Sequence, residues 1–174
     1  MPSEAEFTVP GLDIGDGHKV AHVLQDRLHT LNDLQLTLKH AHWNVVGPDF
    51  IGVHEMLDPQ IELVRGFVDT LAERMATLGV APVGTPGALV RRRDGQDYPV
   101  QRGSTEEHLV ALNTVYDEVV EGHRDAISSC GTLDSITEDI LIGQTAELEQ
   151  FQWFIRAHLE SEVGELPRES ASST

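Results

Sequence analysis

The sequence is poor in cysteine, in lysine and in long apolar runs, and each scarcity excludes a class of function. Its one cysteine, Cys130, permits no internal disulfide framework and is typical of a reducing compartment. Lys19 and Lys39 are the only lysines, and 29 acidic residues against 12 basic ones give a net charge of −17. This charge disfavours a surface that binds nucleic acid phosphates or anionic lipids. No apolar run approaches the ~20 residues that cross a bilayer.

The remaining composition is that of an ordinary globular protein. The chain has 174 residues, 40% of them hydrophobic and 24% charged, which is typical of one domain. Its acidic start lacks the basic and then apolar layout of a secretory signal, so we expect a cytoplasmic protein. We predict an N-terminal arm over residues 1–16, a helical bundle over 17–160 and a flexible acidic tail over 161–174.

Apolar residues recur every three or four positions in four stretches, which predicts four helices. The first ends before Gly47, and the second covers about 50–78. A third begins at Ser104, which forms a potential capping box with Glu107, and a fourth begins near Ser135. Residues 79–103 are rich in glycine and proline and form a long connection. The fold class is therefore all-α: a four-helix bundle of the ferritin-like type, with a long crossover between helices 2 and 3.

Five residues of the first two helices have side chains that bind iron, zinc or manganese. Taken alone, each has a simpler explanation: Asp69 lies four residues after Arg65 and could form a surface ion pair, and His42 could be an interior histidine with satisfied hydrogen bonds. The five residues are His42, His54, Asp58, Asp69 and Glu73.

The spacing of these residues predicts that one subunit does not complete the site. His42 and His54 lie at equal distances from the turn and should face each other in an antiparallel hairpin. Asp69 follows His54 by 15 positions, about 22 Å along a helix. A partner related by a two-fold axis would bring the far end of its own second helix to the histidines. No glutamate precedes a histidine by three positions, which argues against a di-iron centre inside one bundle.

At these positions the sequence resembles the Dps family, the miniferritins named as DNA-binding proteins from starved cells. The resemblance covers about residues 8–160. It rests on the stretch from Lys39 to Asp58, which includes His-Trp-Asn-Val-Val-Gly-Pro-Asp-Phe, on Asp69-Thr-Leu-Ala-Glu73, and on Gln152-Trp-Phe-Ile155.

The resemblance implies a hollow homododecamer that oxidises ferrous iron, preferably with hydrogen peroxide, and stores a ferric mineral. Its ferroxidase ligands would be His42, His54 and Asp58 of one subunit with Asp69 and Glu73 of the two-fold mate. Zinc could replace iron on the same ligands. Trp43 would lie near the site, where it either intercepts radicals or packs at the dimer interface.

The sequence departs from DNA-condensing members of that family, whose tails are rich in lysine. Residues 1–18 contain no lysine or arginine, and residues 160–174 contain four glutamates against one arginine. We therefore expect DNA binding to be weak or absent, with a DNA-protecting nucleoid shell as the alternative function. A bundle that no longer oxidises iron is a third possibility, against which the retained ligand set argues. The run Arg91–Arg93 is expected to be solvated or to form ion pairs.

Two further groups of residues have possible roles. Acids at the start of the fourth helix favour its dipole, and in the resembled family acids near there line three-fold pores that admit iron. These acids are Asp134, Glu138 and Asp139. His18, His22 and His29 could bind a metal on the first helix, although solvated histidines are the simpler expectation.

Overall fold

The computed structural model describes residues 4–93 and 97–160, and the predicted all-α bundle with its long crossover is confirmed. The predicted tail over 161–174 lies outside the described residues. None of the helices in the described ranges is long and apolar enough to cross a membrane. The helices are α1 (Ile14–Asn44), α2 (Phe50–Thr77), α3 (Pro86–Arg92), α4 (Thr105–Cys130) and α5 (Ser135–Leu159).

Two helical hairpins form the bundle. α1 packs along α2, α4 packs along α5, and the hairpins meet mainly through α1 and α4. Their facing sides bury leucine-rich stripes at the spacing that the sequence predicts, because a period of 3.6 residues keeps such positions on one face. The buried residues of α1 include Leu24, Leu28, Leu31, Leu34 and Leu38, and those of α4 include Leu109, Leu112 and Tyr116.

Helix ends are set by local chemistry. α1 begins at Ile14, three residues before the boundary drawn from the sequence, because Asp13 accepts hydrogen bonds from the Gly15 and Asp16 amides. The predicted capping box of Ser104 and Glu107 is present at the start of α4. After α2, Gly79 adopts φ +86° against the Phe7 carbonyl, where a Cβ atom would lie 2.2 Å from the oxygen.

The crossover has more structure than its composition indicates. It contains α3. Directly after α1 the chain forms β1 (Val45–Val46), which pairs in a two-stranded parallel sheet with β2 (Gly103–Ser104) at the end of the crossover. The alternation that marks longer strands cannot appear in two residues, so the sequence gives no sign of this sheet. The N-terminal arm also packs on the bundle, where the Ala5 amide donates to the Gly79 carbonyl over 2.7 Å.

Candidate metal centre

The predicted pair His42 and His54 lies across the α1–α2 turn in direct contact. Their imidazole rings stack with centroids 3.7 Å apart and an interplanar angle of 23°. Each Nδ1 lies 2.9 Å from the backbone oxygen of the other histidine. Because a carbonyl oxygen only accepts, both Nδ1 atoms carry a proton, and each Nε2 keeps its lone pair. Two oriented Nε2 donors of this kind are suited to binding a metal ion.

Asp58 lies one helical turn after His54 and adds a carboxylate to the pair. Its Oδ1 is 3.4 Å from His42 Nδ1 and accepts a hydrogen bond from Lys39 Nζ over 2.9 Å. That hydrogen bond is the largest effect that lowers the pKa of Asp58, helped by the nearby histidines. Asp58 is therefore anionic at neutral pH, with Lys39 as its partner cation.

Asp69 and Glu73 lie on the exposed side of α2, one turn apart, well away from the histidines. Arg65 pairs with Glu62 over 3.0 Å, so the alternative of an Arg65–Asp69 ion pair is not observed. Among the described residues of a single protomer, no three histidine, cysteine or acidic side chains are placed to hold a metal ion. One protomer therefore brings His42, His54 and Asp58 near one another without completing a metal site, and it leaves Asp69 and Glu73 apart from them.

Exposed apolar side chains surround the histidine pair. The Trp43 side chain is 70% exposed and Ile51 is 50% exposed. Phe50 packs edge-on against His54, with ring centroids 6.2 Å apart. Sequence reasoning missed Phe50 and Lys39 as neighbours of the site. The sequence shows Lys39 three positions before His42 on one helix face, but it does not show that the amine reaches Asp58.

Asp134 has a structural role in the protomer. Its carboxylate binds Arg74 Nη2 over 2.5 Å and accepts from the Thr137 amide, which caps α5. These bonds lower the pKa of Asp134, although burial opposes the shift. Of the three acids expected at an iron pore, Asp139 is exposed and Glu138 is half-buried, whereas the Asp134 side chain is only 9% exposed and is paired with Arg74.

The basic run in the crossover forms ion pairs, as expected. Arg92 binds Asp26, and Arg93 binds Asp33 over 3.0 Å and also Asp97. The contacts with Asp26 and Asp33 attach the crossover to α1.

The histidines of α1 are less solvated than expected. His22 Nε2 lies 2.8 Å and His18 Nδ1 lies 3.4 Å from the carboxylate of Glu4 in the arm. The expectation of a solvated side chain is wrong for His29, which is buried and contacts the Gln25 amide at 3.3 Å. Burial lowers the pKa of His29.

Comparison with known proteins agrees with this architecture. The ferritin-like domain family matches residues 21–162. The DNA protection during starvation protein of Mycolicibacterium smegmatis is 55% identical over 96% of this chain and 91% of its own length. The fine tangled pili major subunit of Haemophilus ducreyi is 52% identical over 95% of this chain and 88% of its own.

A solved structure is similar to this chain over nearly its whole length. DpsA14 from Streptomyces coelicolor superimposes with a TM-score of 0.93 and 54% identity, over 97% of this chain and all of that one. The sequence match, the domain match and the superposition extend over nearly the whole bundle. The chain therefore belongs to the Dps family of ferritin-like proteins.

Proposed function

We propose that the protein is a ferroxidase and iron-storage shell that oxidises ferrous iron with hydrogen peroxide. The observation that carries this proposal is the reciprocal hydrogen bonding of His42 and His54. It fixes the tautomer of both stacked rings and leaves the lone pair of each Nε2 free, while the anionic Asp58 lies 3.4 Å from His42 Nδ1. An interior pair with only a packing role would not need both nitrogen lone pairs left free.

The remaining ligands in this proposal come from a second subunit. Asp69 and Glu73 lie too far along α2 to reach their own histidines, and both are exposed in the protomer. An isologous pair with antiparallel α2 helices would place them beside the partner's histidines. The exposed side chains of Trp43, Phe50 and Ile51 would then be covered by the same contact. Six such pairs in a hollow dodecamer would enclose the mineral.

Iron is the substrate in this scheme. Imidazole and carboxylate ligands accept iron, and zinc can substitute for iron on the same ligands. Two ferrous ions give one electron each to hydrogen peroxide, whose O–O bond breaks to yield water. Because both electrons are delivered together, no hydroxyl radical is released. The ferric ions then hydrolyse, the protons pass to water, and the mineral grows inside the shell.

DNA protection by binding is the second candidate, and a relative named DNA protection during starvation protein favours it. The charge of −17 opposes it, because a polyanion repels phosphate. Peroxide removal protects DNA without contact, so the name and the charge are compatible with ferroxidase activity alone.

Anaerobic addition of peroxide to the ferrous-loaded protein tests the proposal. We expect iron oxidation at one peroxide per two ferrous ions, in particles whose mass by light scattering is twelve protomers. A His42→Gln/His54→Gln variant should assemble but oxidise iron slowly. Iron that does not respond to peroxide, or a stable monomer, would refute the proposal.

A further inference from the structure

A cavity of about 730 Å³ lies between α1, the crossover and α4. Its walls contain none of the proposed metal ligands, so it is separate from the candidate metal centre. Apolar side chains from three elements line it: Leu34 of α1, Leu89 of α3, and Val115 and Val119 of α4. The volume lies within the range of about 300–1,000 Å³ that is usual for sites of small organic ligands.

Arg27 lines this cavity and extends from α1 to the backbone of α4. A Cβ atom added at Gly122 would lie 2.8 Å from Arg27 Cζ and 3.1 Å from Nη2. The guanidinium group therefore occupies the space that a side chain at position 122 would take. Gly122 is one turn beyond Val119, which places the charged group at one end of the cavity.

The guanidinium of Arg27 has no counter-ion in the protomer. Among the described residues it forms no ion pair and no hydrogen bond. Arg27 is half-buried, and this burial lowers its pKa, although the nearby charges of Asp26 and Asp125 oppose the shift. A guanidinium stays charged at neutral pH and presents several N–H donors. A charge that is withdrawn from water is normally paired, so the site favours an anion from outside the protomer.

The acids in the cavity wall are placed differently. Asp26 is bound by Arg92, and both Asp33 and Asp97 are bound by Arg93. Glu118, the remaining acid of the wall, is exposed to solvent. Of the arginines that line the cavity, Arg27 is therefore the one that the wall leaves without an acidic partner.

We propose that this cavity binds a small organic monocarboxylate, with its carboxylate on Arg27 and its apolar part between Leu34, Val115 and Val119. The planar guanidinium fits a carboxylate with two parallel hydrogen bonds. One negative charge matches the one unpaired guanidinium. A phosphate dianion would instead be repelled by the acids of the wall and by the net charge of −17. The binding does not require the proposed ferroxidase function.

The test uses isocaproate, a branched monocarboxylate, with the assembled protein. Saturation-transfer NMR detects weak ligands of a large particle, and titration of its signal gives the dissociation constant. Isocaproamide has the same shape without the charge, and inorganic phosphate is the second comparison. We expect saturable binding of isocaproate, with binding of the amide and of phosphate at least about 10-fold weaker, because each lacks one half of the interaction.

Two substitutions examine Arg27 in different ways. Arg27→Gln removes the charge, whereas Gly122→Ala keeps the arginine and displaces its guanidinium from α4. Each should weaken isocaproate binding at least about 10-fold. Gly143→Ala in α5 is the matched control, because no atom lies within 4 Å of the added Cβ, and its affinity should equal that of the wild type. Alanine also favours a helix over glycine, so both glycine variants should fold.

Several results would overturn the proposal. They are the absence of saturable isocaproate binding, equal binding of the amide, tighter binding of phosphate, and an affinity that Gly122→Ala leaves unchanged. Equal weakening by Gly143→Ala would also contradict it, because that substitution does not touch Arg27. If Arg27→Gln does not assemble by light scattering, Gly122→Ala alone decides the outcome.

Discussion

Lys39 Nζ lies 2.9 Å from Asp58 Oδ1, so the carboxylate that we propose as an iron ligand is already paired with a cation. A metal ion at this position must compete with an ammonium group that the protein itself provides. Lys39 and Asp58 are both partly exposed, so the pair is weak enough to be displaced. We therefore expect Lys39 to lower metal affinity, while its hydrogen bond lowers the pKa of Asp58.

Replacement of Lys39 by methionine should strengthen metal binding. The apolar part of the side chain is kept, and the competing charge is removed. We expect a lower dissociation constant for Zn²⁺ by isothermal titration calorimetry and a higher pKa of Asp58 by NMR. Lys19→Met is the matched control, because Lys19 pairs with Asp16 over 2.8 Å on the exposed side of α1. Equal effects of the two substitutions would contradict the competition.

Mixing two inactive variants tests whether the site is shared. One variant carries His42→Gln and His54→Gln, and the other carries Asp69→Asn and Glu73→Gln. With random pairing at equal amounts, half of the dimers are mixed, and one of the two sites in each has only wild-type ligands. About a quarter of the wild-type ferrous oxidation rate should return. If the rate stays at the average of the pure variants while mass spectrometry shows mixed dimers, the site is not shared.

The ion pair between Arg74 and Asp134 should stabilise the protein strongly. Both side chains are almost buried, and the pair joins α2 to the start of α5. Arg74→Met leaves the Asp134 charge without its partner, and we expect a loss of about 3 kcal/mol in the free energy of unfolding. Arg65→Met, which breaks an exposed pair with Glu62, should cost less than about 1 kcal/mol. The check is chemical denaturation of both variants at one protein concentration.

Stability should fall in mild acid because of His123. Burial, together with the nearby Arg27 charge, lowers the pKa of His123 to about 4. The unfolded state therefore binds a proton that the folded state does not, and this destabilises the fold as pH falls below about 6.5. By pH 4 the loss reaches about 3 kcal/mol. Chemical denaturation across this range should show that the free energy of unfolding of His123→Gln depends less on pH than that of the wild type. His158→Gln replaces an exposed histidine and is the control, for which we expect the same pH dependence as for the wild type.

The assembled protein should not retard DNA in a gel at pH 7.5. The net charge of −17 repels phosphate, and Arg92 and Arg93 are engaged by acidic side chains. The control is the same titration at low pH, where protonated acids reduce the repulsion. Retarded complexes at pH 7.5 that weaken steeply with salt would contradict this expectation and favour the nucleoid alternative.

Local sequence patterns were enough to predict the bundle. Three of its features depend on neighbours a few positions apart: the capping at Ser104, the end of α2 before Gly79 and the leucine stripe of α1. The facing of His42 and His54 also follows from their equal distances to one turn.

Contacts between distant segments could not be predicted. Three such contacts depend on the path of the crossover and the arm. They are the pairing of β1 with β2, the hydrogen bond between Tyr98 and His108, and the contact of Glu4 with His22. Lys39 as the partner of Asp58 was missed for a different reason. The i, i+3 spacing to His42 places Lys39 on the right face, but only the packing of α1 on α2 brings its amine to that carboxylate.

The two-residue strands have a consequence for the order of folding. β1 directly follows the helix that carries His42, but its partner lies beyond the whole of α2 and the crossover. Closing so large a loop is entropically slow, whereas the α1–α2 turn closes through neighbouring residues. The two imidazoles can therefore meet while the second hairpin is still unfolded. A nascent chain would acquire the stacked His42–His54 pair before it acquires a complete bundle.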